Sequence, residues 1–198
     1  PNKILDRCML VKKVDVIPIE AIVRGHLAGS AWETYKKNQT IDNKKVKNNF
    51  SKFEKFSTPI FTPSTKAEKD ENISFEKMRK MVGGDISQKI KSLSIELYNF
   101  AYSFALKKGI IIADTKFEFG IDNMGNIILI DEIFTPDCSR FWKYDNNINK
   151  IIYDSFDKQF FRDYLINIKW NKKNIVLPNE LKKELIERYK LAYNLITT

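Results

Sequence analysis

Apolar and polar positions alternate most regularly after Gly109, where Ile110-Ile111-Ile112-Ala113-Asp114-Thr115-Lys116-Phe117-Glu118-Phe119 reads as a strand. Period-two alternation in its second half puts Asp114, Lys116 and Glu118 on one face, and sends Phe117 and Phe119 to the other, into a core. The turn Asp122-Asn123-Met124-Gly125-Asn126 then predicts a hairpin returning through Ile127-Ile128-Leu129-Ile130-Asp131-Glu132. Folded symmetrically about Met124 and Gly125, it sets Asp131 directly opposite Glu118. Opposed residues of an antiparallel pair lie roughly 5 Å apart. Two carboxylates at that spacing repel unless a cation or a proton sits between them. Glu118 and Asp131 therefore suit a hard divalent cation, and oxygen ligands point to Mg²⁺ rather than zinc. A solvent-facing strand with incidental charges is the alternative; the four aliphatics before Asp131 favour a buried strand instead.

Helical spacing dominates elsewhere. Ser30 with Glu33 three residues on is a capping box that opens a helix over 30–38. Ser74 opens a second helix ending at Gly83-Gly84, and Asp85 a third running to about Lys108. In the third, Ile86, Ile90, Leu93, Leu97, Phe100, Tyr102 and Phe104 form a broad apolar face for the back of the hairpin. Further helices are predicted near 157–168 and from about Asn179 to Leu195. Residues 4–17 and 19–24 read as strands separated by Pro18. Residues 39–72, with Thr58-Pro59 and Thr62-Pro63, read as one long loop, and 135–150 as another. The pattern has no internal repeat. It predicts an α+β fold, an antiparallel sheet flanked by helices.

Composition narrows the function classes. With 198 residues, 43% hydrophobic and 13% aromatic, the chain can bury a substantial core. No apolar run approaches the ~20 residues of a membrane helix, and no signal-peptide pattern is present. Two cysteines far apart in sequence, Cys8 and Cys138, make no disulfide framework, so a reducing, cytoplasmic setting is expected. The net charge of +9 comes from lysines scattered beside asparagines rather than a basic stripe with interleaved aromatics. That argues against an RNA-binding module and is compatible with a small anionic substrate.

Arg24 precedes the Gly29-Ser30 helix start, where unpaired amides, a hydroxyl and a guanidinium fork could hold a phosphate. A plain cap at Ser30 and a surface ion pair at Arg24 is the alternative. Arg140, a short loop after the acidic strand, could reach the same ligand. Lys66 and Asp70 lie in the long loop, where charged residues are usually just solvated. His26, the only histidine, reads as structural, and Cys138 as a small filler. The seven glycines form neither G-x-G-x-x-G nor G-x-x-x-x-G-K, so no phosphate-cradling loop is encoded.

Two long segments, VIPIEAIVRGHLAGSAW (16–32) and IADTKFEFG (112–120), together with FTPSTKAE, DENIS, IDEIFTPDCSRFW and SFDKQFFRDYL, resemble the SAICAR synthetase (phosphoribosylaminoimidazole-succinocarboxamide synthase) family over almost the whole chain. The resemblance implies the larger, C-terminal lobe of that fold over residues 1–198. It implies a purine-biosynthesis ligase that joins carboxyaminoimidazole ribonucleotide (CAIR) to L-aspartate with ATP and Mg²⁺ through an acyl phosphate, with no nucleic-acid or membrane partner. By the same resemblance Glu118 and Asp131 are the Mg²⁺ ligands, Arg24, Ser30 and Arg140 hold the ribonucleotide phosphate, and Asp114 and Lys116 contact substrate and the transferred phosphoryl group. Glu20 matches the ATP-ribose position, with Val14 and Val16 along the adenine edge. Lys66, Asp70, Lys158 and Arg162 match further substrate contacts. The family's glycine-rich lobe with its ATP-binding lysine is expected to be absent, since the match sets in near the hinge between lobes. The alternative is a remnant that binds the ribonucleotide but not ATP. Lys69 stands where the family has a histidine, Cys138 where it has a serine and His26 where it has a tyrosine.

Overall fold

A computed structural model describes residues 8–41, 44–46, 49–66, 71–156, 158–171 and 173–198. Its centre is β5 (Ile110–Ile121), which carries the acidic face and the phenylalanine face predicted for it. β1 (Asp15–His26) runs antiparallel along one edge of β5, and β4 (Lys55–Thr65) closes that side of the sheet. The other edge of β5 is shared. β6 (Ile127–Ile130) pairs with residues 118–121, and β7 (Ser139–Asp145) with residues 110–115, followed outward by β8 (Lys150–Ser155). The interval between β6 and β7 falls at Lys116, whose backbone N–H donates to Cys138 O at 3.0 Å. Residues 131–138 therefore hang beside the middle of the acidic face.

The back of the sheet is covered by α3 (Gly84–Lys107), with α2 (Phe75–Val82) beside it and Ala192, Leu195 and Ile196 of α5 (Asn179–Thr197) reaching the same core. Ile19, Ala21 and Val23 of β1 meet Phe117 and Phe119 there, as alternation requires. Ile110 and Ile112 share this core even though their parity differs from that of the phenylalanines. The phase changes at a bulge between Ile112 and Asp114, where Ala113 is the extra residue against β7. The bulge lets a strand that begins with both faces buried turn a row of charges outward. α1 (Gly29–Asn38), the short β2 (Thr40–Ile41) and β3 (Lys44–Lys45), and α4 (Gln159–Asn167) complete the fold.

The α+β architecture agrees with the sequence expectation, and several local readings need correction. Residues 15–26 form one strand rather than two: Pro18 sits where the ladder with β5 is interrupted between Val16 and Glu20. Residues 8–14 have no regular structure, and 1–7 lie outside the described residues. The expected loop over 39–72 contains the eleven-residue β4; Pro59 and Pro63 are tolerated because β4 is an edge strand. The expected loop over 135–150 contains β7. Ser74 caps α2 as predicted, accepting from Lys77 N at 3.1 Å. Ser30 does not cap α1: the helix starts one residue earlier, at Gly29, behind Ala28, with no side-chain cap. On α3, Phe100 is 76% and Phe104 45% exposed. Phe100 lies two positions beyond the buried Tyr98, about 200° around the helix, so it points away from the sheet.

Candidate functional site

Register assembles the site. Arg24 of β1 stands opposite Asp114 of β5, and Asp114 stands opposite Arg140 of β7, so three strands present an Arg–Asp–Arg row. Two positions along β1, Ile22 faces Lys116, and two further on Glu20 faces Glu118. Together with Ser30, Lys158 and Arg162, the residues Glu20, Arg24, Asp114, Lys116 and Arg140 line one open cavity of about 250 Å³.

One end of this cavity is strongly cationic. Arg24, buried in the sheet, donates from Nη1 to Asp114 Oδ2 at 3.4 Å, from Nη2 to Ser30 Oγ at 3.5 Å and from Nε to Thr62 Oγ1 at 2.9 Å. Burial pulls the Arg24 guanidinium below its ordinary value, opposed by Asp114 and reinforced by Arg140. Arg140 binds the same Asp114 oxygen, so one carboxylate serves two guanidinium groups and leaves an excess of positive charge. Gly29, at φ +55°, makes the close approach possible: a Cβ there would lie 2.4 Å from Arg140 Nη2. Lys158 donates to Asp137 at 2.6 Å and holds that carboxyl below its usual range.

At the other end, the facing carboxylates are Glu20 and Glu118, both buried and on neighbouring strands. Each has its own ammonium: Lys116 Nζ donates to Glu20 Oε1 at 2.7 Å, and Lys66 Nζ binds Glu118 Oε2. The expected opposition of Glu118 and Asp131 is corrected by one residue. Asp122 accepts from the backbone N–H groups of Met124 and Asn126 at 3.0 and 2.8 Å and fixes a five-residue loop, 122–126. An odd loop centres the hairpin on Met124, so Glu118 pairs with Ile130. Asp131 follows at φ +62°, exposed, where the chain leaves the strand. Among the described residues no three His, Cys, Asp or Glu side chains converge as a metal site. The donor set nonetheless fits Mg²⁺, which is commonly held by one or two carboxylates with phosphate oxygens and water filling the rest.

The structure thus brings together Glu20, Arg24, Ser30, Asp114, Lys116, Arg140, Lys158 and Arg162, with Lys66 reaching Glu118 beside them. Val14, just before β1, and Val16, which pairs with Gly120 near the strand's start, lie outside the cavity. Asp70 lies outside the described residues. Two contributors escaped sequence reading, Thr62 and Ser64 of β4, because their segment was read as a loop. The Glu20–Glu118 opposition was missed for want of the β1–β5 register, although Pro18 hinted at the break that sets it.

His26 is structural, as read: its Nδ1 lies 3.0 Å from Phe53 O, its ring meets Trp142 edge-on, and burial lowers its pKa. Cys138 is buried and lines the cavity wall beside Ser139. Among the described residues no helix is long and apolar enough to cross a membrane.

Comparison with known proteins adds an independent line. A family model described as SAICAR synthetase matches residues 2–177. A phosphoribosylaminoimidazole-succinocarboxamide synthase of Thermodesulfovibrio yellowstonii is 48% identical over 196 residues, covering 97% of this chain and 67% of that protein. One from Komagataella pastoris is 48% identical over 96% of this chain and 64% of its own length. Among solved structures, the Saccharomyces cerevisiae SAICAR synthase complexed with SAICAR superposes with a TM-score of 0.87 at 42% identity, covering 100% of this chain and 69% of the other. A SAICAR synthetase in complex with ADP superposes with a TM-score of 0.69 at 29% identity over 94% of this chain and 66% of that one. The chain spans about two thirds of the length of these relatives.

Proposed function

The chain belongs to the SAICAR synthetase family, and on that premise we propose that its cavity binds CAIR and L-aspartate beside ATP and joins them as a carbon–nitrogen ligase of purine biosynthesis. The residues correspond, in this reading, to the larger lobe of the family fold, working in the cytoplasm. The observation that carries it is the convergence of Arg24, Ser30 and Arg140 at one end of the cavity with Lys116 and Glu20 at the other, where Glu118 stands opposite Glu20 on the next strand. A phosphoribosyl group docks at the first end. Its carboxylated imidazole then lies toward Asp114 and Lys116.

A carboxylate is a poor electrophile. Its oxygen attacks the γ-phosphorus of ATP, ADP departs, and an acyl phosphate forms; the aspartate amine then attacks the acyl carbon and phosphate leaves as the amine loses a proton. Phosphoryl transfer of this kind depends on positioning and on neutralising charge. Lys116 lies at the gap between β6 and β7, where it can follow charge that moves onto phosphate oxygens. Glu20 holds the nucleotide ribose, and the backbone at Val14, just before β1, and at Val16 borders its base. Glu118 and Asp131 would hold Mg²⁺, which would supply positive charge to offset that of the phosphates. Lys66, Asp70, Lys158 and Arg162 contact substrate around the rim. The named relatives solved with SAICAR and with ADP support both halves of the reading.

Isothermal calorimetry tests it: SAICAR and ADP with Mg²⁺ should each bind in the micromolar range. Binding of SAICAR without ADP would reduce the role to ribonucleotide recognition, and binding of neither would overturn the reading.

A further inference from the structure

Two hydroxyls of β4 point from the sheet edge into the charged face. Thr62 stands opposite Ile22 and Ser64 opposite Glu20, so both share the face that carries Glu20, Arg24 and Asp114. Their neighbour Phe61 turns to the core. Thr62 and Ser64 are 6% and 1% exposed, positions where a buried strand ordinarily takes an aliphatic residue. A hydroxyl that deeply buried needs a partner. Both find one among the charges of the site: Thr62 Oγ1 accepts from Arg24 Nε at 2.9 Å, and Ser64 Oγ donates to Glu20 Oε2 at 3.2 Å.

The two contacts have parallel logic. A guanidinium carries five N–H donors. With Nε on Thr62, Nη1 on Asp114 and Nη2 on Ser30, Arg24 is clamped between strands on both sides and its guanidinium plane is fixed. Glu20 is clamped the same way, Oε1 by Lys116 of β5 and Oε2 by Ser64 of β4. Remove either hydroxyl and the charge remains, but one of its holders is gone.

We propose that Thr62 and Ser64 are positioning residues that tune the two substrate affinities separately, Thr62 through Arg24 at the phosphoribosyl end and Ser64 through Glu20 at the nucleotide end. The inference rests on the ligand assignment proposed above. It makes the edge strand a fine adjustment of both subsites, from a segment that touches neither reacting atom.

Calorimetry with SAICAR and with ADP–Mg²⁺ separates the roles. Thr62→Val keeps shape and β-branching but deletes the acceptor. It should weaken SAICAR binding about tenfold, the scale of a hydrogen bond to a charged group, and leave ADP within about twofold. Thr62→Ser, which restores the hydroxyl, should recover SAICAR affinity. Ser64→Ala should give the converse pattern, with recovery in Ser64→Thr. A merely structural role would lower the melting temperature and leave both affinities of the folded protein intact, which would overturn the proposal; so would equal loss of both ligands in either variant. If Thr62→Val folds poorly, Thr62→Ala carries the same test. Arg24→Met distinguishes the two levels of argument: unchanged SAICAR binding there defeats the ligand assignment itself, whereas loss there with none in the Thr62 variants defeats only the positioning role.

Discussion

Glu20 and Glu118 face each other across β1 and β5, and a lysine on each keeps the pair from repelling. Glu118→Gln preserves shape and releases Lys66, an ammonium whose side chain is 45% exposed and can return to water. The variant should weaken Mg²⁺-dependent ADP binding about tenfold while the melting temperature holds steady. Metal dependence identical to the parent protein would remove Glu118 from the site. His26 gives a second residue-level expectation. Burial depresses its folded pKa from 6.5, so the unfolded chain takes up more protons below that value. The stabilisation is present above pH 6.5 and lost as pH falls toward the depressed folded value. Urea unfolding between about pH 7 and pH 5 should therefore show stability falling with acidification, with a shallower slope in His26→Phe.

At the scale of elements, α2 supports the site from behind, since Met78 in its middle and Ile73 just before its cap pack into the core that carries Phe61 of β4. Ser74 caps that helix through Lys77 N. Ser74→Ala should cost about 1 kcal/mol in urea unfolding, a typical value for a lost N-cap, with no change in ligand affinity. What the sequence made legible was also set by element. β5 and its hairpin were readable because their alternation is local and their turn carries Asp122, Gly125 and Asn126. The one-residue error in register arose because an odd loop and an even loop look alike until the Asp122 hydrogen bonds are known. β4 was hidden by Pro59 and Pro63, which mean a loop in most contexts and an edge strand in this one. Arg24, Ser30 and Arg140 could be picked out singly from charge and helix position, but the meeting of the two arginines at Asp114 depends on pairings between distant strands. Ser30 was expected both to cap α1 and to stand with Arg24; it meets Arg24 and does not cap the helix.

Over the whole molecule, the excess of cations has a local focus. A net charge of +9 is spread over the surface, while Arg24, Lys116, Arg140, Lys158 and Arg162 converge on one cavity. A concave site with such lining raises the capture rate of anions, and salt screens the effect. Stopped-flow association of SAICAR should slow several-fold between about 50 and about 500 mM KCl, with dissociation changing less. A flat salt response would mean that the charges act only on contact.

The phase change at Ala113 ties the charged cavity to foldability in a way that point substitutions do not expose. Downstream of it, Asp114, Lys116 and Glu118 take the charged face while Phe117 and Phe119 take the packed interior. Inserting or deleting one residue between Asp114 and Phe119 would drive carboxylates inward and phenylalanines into the cavity. Natural drift and laboratory recombination alike must therefore conserve length here as rigidly as a reading frame, even where they vary the letters.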